Sequence, residues 1–107
     1  MVTKQYEVFW VNLDPTIGHE VKKTRPCVVI SPNEMNDNIA TVMIAPITSS
    51  IKLYPSRVNC KIQERKGAIM LDQIRTVDKR RLLHKISKLT SKEILQIKQV
   101  IKRMLVD

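Results

Sequence analysis

Six short runs of strand-forming residues, each ended by proline or by polar turn residues, constrain most strongly how this chain can fold. The run Cys27-Val28-Val29-Ile30 is apolar and largely β-branched, which is typical of a buried strand. Residues 56–63 instead alternate between apolar and polar side chains, as a half-buried antiparallel strand does. The predicted strands are residues 7–13, 27–31, 39–47, 56–63, 67–77 and 82–89.

Turn-forming and polar residues connect these runs. Asp14-Pro15 ends the first strand, and Gly18 permits a positive φ in the loop that follows. Residues 33–38 predict a polar connection, and residues 64–67 predict a hairpin turn that includes the second of the two glycines. Residues 67–77 then run back as one long strand.

Only the C-terminal end has the periodicity of a helix. Residues 90–93 match a capping box, in which Thr90 and Glu93 bond each other's backbone amides, and Leu89 and Ile94 can form the hydrophobic staple outside it. The apolar face of this helix comprises Ile94, Ile97, Val100, Ile101, Met104 and Leu105. Several strands followed by one helix predict a mainly β fold, a small bent sheet or barrel, with residues 1–107 as one domain.

The charge balance favours an anionic partner. The net charge is +9, from 19 Lys and Arg residues against 10 Asp and Glu residues. Nucleic acid, an acidic protein segment and a membrane surface all fit this excess. No apolar run approaches the roughly 20 residues of a membrane span, and the N-terminal residues lack the apolar core of a signal peptide. We therefore expect a cytoplasmic protein.

The two cysteines predict neither a metal site nor a disulfide. Cys27 and Cys60 each lie inside a predicted strand, with no C-x-x-C spacing and no histidine at ligand spacing. This pattern excludes a structural zinc site and favours two small buried thiols. No cofactor is expected.

Arg25 is the first candidate for a functional residue. Because Pro26 disfavours the helical region for the residue before it, Arg25 is held extended at the entrance of the second predicted strand. A guanidinium fixed there is suited to binding a phosphate. The residues alone leave a second explanation open, in which Arg25 pairs with a surface carboxylate and the hydroxyls of Thr48 and Ser49 close a turn.

Four blocks of the sequence resemble the MazF/PemK family of toxin endoribonucleases in order and spacing. They are Asn12-Leu13-Asp14-Pro15-Thr16-Ile17-Gly18-His19-Glu20, Thr24-Arg25-Pro26, Pro46-Ile47-Thr48-Ser49 and Leu71-Asp72-Gln73-Ile74-Arg75-Thr76-Val77-Asp78. The resemblance implies a small SH3-like barrel that forms homodimers. It also implies cleavage of single-stranded RNA at short sequences without a metal ion, and inhibition by a cognate antitoxin.

The resemblance also assigns roles to individual residues. Arg25 and Thr48 match the central catalytic pair of the family. The RNA-binding positions implied are His19, Glu20, Lys22, Ser49, Asp72 and Gln73. Some relatives carry a second catalytic arginine two residues before the Asp of the Asp-Gln step, where this chain has Met70. A mechanism that uses such an arginine with Asp72 as an acid/base pair is therefore not implied for this chain.

Metal-free cleavage uses the 2′-hydroxyl of the RNA as nucleophile and leaves a 2′,3′-cyclic phosphate and a 5′-hydroxyl. Arg25 would stabilise the charge of the phosphorane, which is the electrostatic contribution that usually dominates. Thr48 would hydrogen-bond a phosphate oxygen or the 2′-hydroxyl. The proton acceptor stays open among His19, Glu20 and water.

Three alternatives remain at this point. A non-catalytic SH3-like toxin of the CcdB type would poison a protein target such as gyrase. A basic barrel without activity would bind nucleic acid and leave it whole. A two-histidine acid/base scheme would use His19 and His84, although His84 is expected to be a half-buried strand residue.

Overall fold

The computed structural model describes residues 2–13 and 24–106. A curled, half-barrel sheet and a C-terminal helix dominate this part of the chain, so the predicted mainly β fold is confirmed. The strands are β1 (Glu7–Asn12), β2 (Thr24–Val29), β3 (Thr41–Thr48), β4 (Arg57–Ile62), β5 (Arg65–Met70), β6 (Arg75–Asp78) and β7 (Leu82–Lys88). The helices are α1 (Asn33–Asn38) and α2 (Ser91–Ile101), with 3-10 turns at Leu71–Gln73 and Lys79–Arg81. Within these two ranges no helix has the length and apolar character needed to cross a membrane.

The sheet is built around β3. Its strands follow the order β4-β5-β3-β2-β1-β7, and all the pairs are antiparallel. β2 pairs with one edge of β3, where Cys27 faces Pro46. The other edge is shared, because β6 pairs with Thr41 to Ile44 and β5 with Ile47 and Thr48. The end of β3 is therefore held between β2 and β5.

The two faces of the sheet form two apolar cores. Successive residues of a strand point to opposite faces, so Cys27 and Val28 belong to different cores. Val28 and Ala45 pack with α2 on one face, where Ile97 and Val100 are buried. Cys27 and its neighbours on the other face are enclosed by the curl of the sheet. Both cysteines are buried free thiols, as predicted.

The capping box at the start of α2 is confirmed, and its glutamate has a second role. Glu93 accepts hydrogen bonds from the Thr90 amide at 2.9 Å, and its own amide donates to the Thr90 hydroxyl at 3.2 Å. The second carboxylate oxygen of Glu93 accepts from the Lys61 amide of the edge strand β4 at 2.9 Å. The buried Glu93 side chain therefore caps the helix and also accepts a hydrogen bond from a backbone amide of the edge strand.

The apolar face predicted for the C-terminal helix packs on the core only along its first part. Ile97 and Val100 are buried and Ile94 and Ile101 are partly buried, but Met104 and Leu105 are exposed. The chain leaves the α-helix after Ile101 and forms a wider π turn over Lys102–Val106. This change of periodicity rotates the last apolar residues away from the core.

The polar connection predicted at residues 33–38 is a short helix, α1. Four of its six residues are Asn or Asp, which are poor helix formers, and side-chain hydrogen bonds outweigh that preference. Asn36 is buried, donates to the Ser31 carbonyl at 2.9 Å and accepts from the Ser31 hydroxyl. This pair of bonds secures the helix to the end of β2.

The hairpin turn and the long strand after it also differ from the prediction. Because Ile62 pairs with Arg65, the turn consists of Gln63 and Glu64, whose φ angles are 51° and 69°. Two positive φ angles are the signature of a type I′ hairpin, so Gly67 is not a turn residue. The strand predicted for residues 67–77 is broken by the 3-10 turn Leu71–Gln73, where the chain passes from β5 to β6.

Candidate active site

Arg25 and Thr48 lie on neighbouring strands. β2 begins at Thr24, three residues earlier than predicted, so Arg25 is part of the sheet and pairs with Val11 of β1. On its other side the register joins Cys27 to Pro46. Two residues further along, this register brings Arg25 opposite Thr48, and the spacing of two puts both side chains on one face.

The environment of Arg25 leaves its guanidinium available to an anion. The residue is half-buried, and its Nε is buried without a hydrogen-bond partner in the part of the chain that the structure describes. Within residues 2–13 and 24–106 no ion pair joins Arg25 to a carboxylate. A buried donor without an acceptor is costly, and a phosphate oxygen is a suitable acceptor for it.

Thr48 is buried at the end of β3, and its hydroxyl is oriented. Its Oγ1 accepts a hydrogen bond from the Ser50 amide at 3.1 Å. A threonine hydroxyl that accepts one bond keeps its own proton to donate. The turn-closing role considered from the sequence is therefore real, and it leaves Thr48 able to donate to a phosphate oxygen. Ser49, the next residue, is exposed.

Beyond Thr48, small side chains on β5 and β4 extend the row of cross-strand pairs that begins at Arg25. Ala68 of β5 lies opposite Thr48, and Asn59 of β4 lies opposite Ala68. Gly67 lets β5 approach closely, because a Cβ at this position would lie 2.9 Å from Ile47 Cγ2 and 3.1 Å from the Thr48 carbonyl oxygen. The row of paired residues from Arg25 through Thr48 and Ala68 to Asn59 is called the floor; Thr48 and Ala68 are buried, and Asn59 at its far end is exposed.

Arg75 adds a second positive charge to this end of the molecule. Its Nη1 donates to the Leu13 carbonyl at 3.3 Å, at the last described residue before the loop. Burial raises the pKa of the Cys27 thiol to about 12. It outweighs the positive charges of Arg25 and Arg75, which both reach this thiol and lower its pKa. Sequence reasoning missed Arg75 as a site residue, although it lies in the fourth block that carried the resemblance.

Asp72 is part of an ion pair that the sequence did not predict. It accepts from Arg57 Nε at 3.3 Å, from Arg57 Nη2 at 3.4 Å and from the Ser56 hydroxyl at 3.0 Å. Burial raises the pKa of Asp72, but hydrogen bonds from Arg57, the local backbone and Ser56, together with the Arg57 charge, outweigh it and lower the pKa. Asp72 therefore anchors Arg57. Gln73 follows it in the same 3-10 turn and is half-buried.

Three of the predicted RNA-binding residues, His19, Glu20 and Lys22, lie outside the described residues. His84 lies on a strand, β7, as predicted, but it is exposed and not half-buried. It pairs with Trp10, with the two ring centroids 6.5 Å apart. Trp10 points to the face opposite Val11 and Arg25, so the sheet separates His84 from Arg25. This separation argues against the two-histidine scheme.

The chemistry available at this face is that of arginines, hydroxyls and amides. Among residues 2–13 and 24–106, no three His, Cys, Asp or Glu side chains are grouped as a metal ion requires. The arrangement can neutralise a phosphate with Arg25 and donate a hydrogen bond to it from Thr48.

Comparison with known proteins agrees with this geometry. The family described as "PemK-like, MazF-like toxin of type II toxin-antitoxin system" matches residues 4–105. The chain is 37% identical over 71 residues to the endoribonuclease toxin MazF of Escherichia coli (strain K12), which covers 66% of this chain and 64% of that protein. It is 36% identical over 95 residues to the endoribonuclease EndoA of Bacillus subtilis (strain 168), which covers 83% of this chain and 82% of that protein.

A solved structure supports the fold over the full length. The crystal structure of MazF from Deinococcus radiodurans has a TM-score of 0.88 at 25% identity and covers 100% of this chain and 99% of that one. The resemblance carried by the four sequence blocks is confirmed. The chain belongs to the PemK/MazF family of toxins of type II toxin–antitoxin systems.

Proposed function

We propose that this chain is the toxin of a toxin–antitoxin pair and a sequence-specific endoribonuclease that cleaves single-stranded RNA without a metal ion. The relatives in Escherichia coli and Bacillus subtilis are named endoribonucleases, which supports the reaction class. The observation that supports it most directly is the buried Nε of Arg25, which lacks an acceptor among the described residues. The β2–β3 register, extended by two residues, brings Arg25 opposite Thr48.

The reaction is a transesterification within the RNA. The 2′-oxygen forms a bond to phosphorus and the bond from phosphorus to the 5′-oxygen breaks, which leaves a 2′,3′-cyclic phosphate and a 5′-hydroxyl. The proton of the 2′-hydroxyl passes to a base, and the leaving 5′-oxygen takes up a proton. His19, Glu20 and water are the candidates for the base. The protein must therefore orient the phosphate and stabilise a phosphorane with extra negative charge.

Arg25 and Thr48 divide this task. Arg25 holds the two non-bridging oxygens and neutralises the charge that develops on them, because a guanidinium offers a fixed positive charge and paired donors. Thr48 donates its remaining proton to a phosphate oxygen, or orients the 2′-hydroxyl. Met70 lies where some relatives have a second arginine, so the reaction here rests on Arg25 and Thr48. Ser49 and Gln73, which the resemblance implies as RNA-binding residues, would contact neighbouring nucleotides.

The partners follow from the family and the charge. We propose that the chain acts in the cytoplasm as a homodimer. A cognate antitoxin with an acidic tail would inhibit it by covering the Arg25 face, since the family is that of toxin–antitoxin systems and the net charge is +9.

The test is cleavage of a long natural RNA in the presence of EDTA, with the new ends mapped. Wild-type protein should cut the RNA and leave cyclic phosphate ends. Arg25→Ala and Thr48→Ala should each lower the rate by about 10²–10³, the loss expected for one preorganised contact. Arg65→Ala and Thr76→Ala, which remove exposed residues of the same types, are the matched controls.

Each outcome is decisive for the proposal. RNA that stays whole at high protein concentration would leave a non-catalytic binder as the better explanation. If both site variants cut at the wild-type rate while remaining folded, the Arg25–Thr48 site is wrong even though the activity exists. Restoration of cutting by Thr48→Ser would identify the hydroxyl as the required group.

A further inference from the structure

A cavity of about 380 Å³ opens beyond the far end of the floor that starts at Arg25. It lies between the segment 52–55, the outer strand β4 and one face of α2. Asn59 belongs both to the lining of this cavity and to the row that leads through Ala68 to Thr48. With strands roughly 4.8 Å apart, Asn59 is about 10 Å from Thr48.

The lining of the cavity is cationic and rich in amides. Lys52, Arg57 and Arg103 contribute positive charge, and Gln96 and Gln99 join Asn59 as amide groups. None of the lining residues that the structure describes is a carboxylate. Amides can donate to and accept from the edges of a nucleobase, and the cations suit its phosphates.

An aromatic residue and a fixed guanidinium stand at the same cavity. Tyr54 is 49% exposed and is the only exposed residue among the four aromatics of the chain, all of which are described. The guanidinium carbon of Arg57 lies 4.7 Å from the centroid of the Tyr54 ring. Its side chain is only 13% exposed, because Asp72 and Ser56 surround it. The stack is thus ordered before any ligand arrives.

We propose that this cavity binds one nucleotide of the RNA substrate, near the cleaved phosphate, with its base against the Tyr54–Arg57 stack. The inference rests on the proposed endoribonuclease function and adds a recognition site to it. Aromatic rings and guanidinium planes are the groups on which unpaired bases stack. Asn59 in the cavity lining is about 10 Å from Thr48, so a nucleotide close to a phosphate held at Thr48 can reach the stack. Asp72 is a positioning residue in this arrangement, because it acts on RNA through Arg57.

The test measures kcat and KM on single-stranded oligoribonucleotides that contain the mapped cleavage site. Tyr54→Ala should raise KM by roughly 5- to 100-fold, the range for loss of one stacked base, and change kcat little. Tyr54→Phe, which keeps the ring, should resemble the wild type. Lys52→Ala should raise KM and Lys98→Ala should not, since Lys98 is an exposed lysine of α2 outside the cavity.

Substrates shortened from each end provide a second measurement. Once the nucleotide that occupies the cavity is removed, wild type and Tyr54→Ala should have the same KM. Gln99→Ala should show the same pattern, which guards against a folding defect in one variant. Asp72→Asn should also raise KM, and in contrast to Tyr54→Ala its effect should disappear in the Arg57→Ala background.

Failure of this inference is distinguishable from failure of the proposed function. If wild-type protein leaves RNA whole, the function itself is wrong. If wild type cuts and the Tyr54, Lys52 and Gln99 variants keep its KM, the cavity does not bind RNA although the function stands. If these variants keep the KM for RNA but lose inhibition by a poly-glutamate peptide, the cavity binds an acidic protein segment and the inference is overturned.

Discussion

At the scale of single residues, the site depends on polar groups that the fold orders in advance. The Nε of Arg25 is buried without an acceptor among the described residues, and the Thr48 hydroxyl is oriented by the Ser50 amide. A side chain already fixed in place loses less freedom when it meets its ligand. Arg57 follows the same rule, because Asp72 and Tyr54 hold its guanidinium on two sides.

The Cys27 thiol, between Arg25 and the apolar core, provides a prediction about pH. Burial raises its pKa from 9.0 to about 12, so the folded protein holds this proton more tightly than the unfolded chain does. The resulting stabilisation is complete below pH 9 and is lost as the pH rises towards 12. At pH 10 the loss should be about 1.4 kcal/mol.

Urea unfolding of wild type and Cys27→Ala between pH 7 and pH 10.5 measures this contribution. The difference in unfolding free energy should be constant up to about pH 8.5 and then shrink, because only the wild type has the thiol to titrate. Lysine and tyrosine titrations are common to both proteins and cancel. A constant difference throughout would contradict the assigned burial of the thiol.

At the scale of elements, the end of β3 decides the geometry of the site. β2 brings Arg25 to one side of Thr48 and β5 brings Ala68 to the other. β5 can come this close because Gly67 has no side chain to meet Ile47. The break between β5 and β6 then turns Asp72 towards Arg57 on β4. A continuous strand over residues 67–77 would not form that pair.

Gly67→Ala tests this close approach. The added methyl group would lie 2.9 Å from Ile47 Cγ2, so β3 and β5 must separate, at a cost of about 1–3 kcal/mol in unfolding free energy. We expect lower RNA cleavage at temperatures where the variant remains folded, because Thr48 moves with β3. Alanine is not worse than glycine in an ordinary strand, so a loss of stability isolates the clash.

Lys66→Ala is the matched control, since Lys66 is the exposed neighbour of Gly67 on the same strand. Thermal unfolding and cleavage rate should both stay near the wild-type values in this variant. A Gly67→Ala protein with unchanged stability and rate would mean that β5 is free to shift and that the floor beside Thr48 is not rigid.

At the scale of the whole molecule, the net charge of +9 and the position of the arginines favour a polyanion. Arg25 and Arg75 provide positive charge at one end of the floor. The cavity at the other end is lined by three further cations, Arg57, Lys52 and Arg103. An RNA strand that crosses this face meets cations at both ends of the floor. The affinity of such a complex depends on the release of counterions from the phosphates.

Binding of RNA should therefore weaken steeply with salt. For a single strand, roughly four neutralised phosphates give a logarithmic slope of about −3, so the affinity should fall about 50-fold between 50 and 200 mM salt. Fluorescence anisotropy of a labelled RNA with the Thr48→Ala protein avoids cleavage during the titration. Lys52→Ala should make the slope less steep by about 0.7, whereas Lys98→Ala should leave it unchanged.

The sequence by itself determined the elements whose signals are local. Alternation in residues 56–63 predicted β4 with Val58, Cys60 and Ile62 buried, and the capping box predicted the start of α2. The four blocks indicated the family, and with it Arg25 and Thr48 as the candidate pair. Each of these signals lies within one short stretch of the chain, so no knowledge of the rest of the fold is needed to interpret it.

Only the tertiary structure decided the contacts between distant segments. Arg75 meets the Leu13 carbonyl across 62 positions, and Arg57 pairs with Asp72 across 15. From the sequence, Gly67 was predicted to be a turn residue. Its structural role is to let β5 approach Ile47, which lies on a strand twenty residues earlier in the chain, so no local signal reveals it. Local propensities are worth a few tenths of a kcal/mol per residue, and a buried hydrogen bond or a packed contact outweighs them.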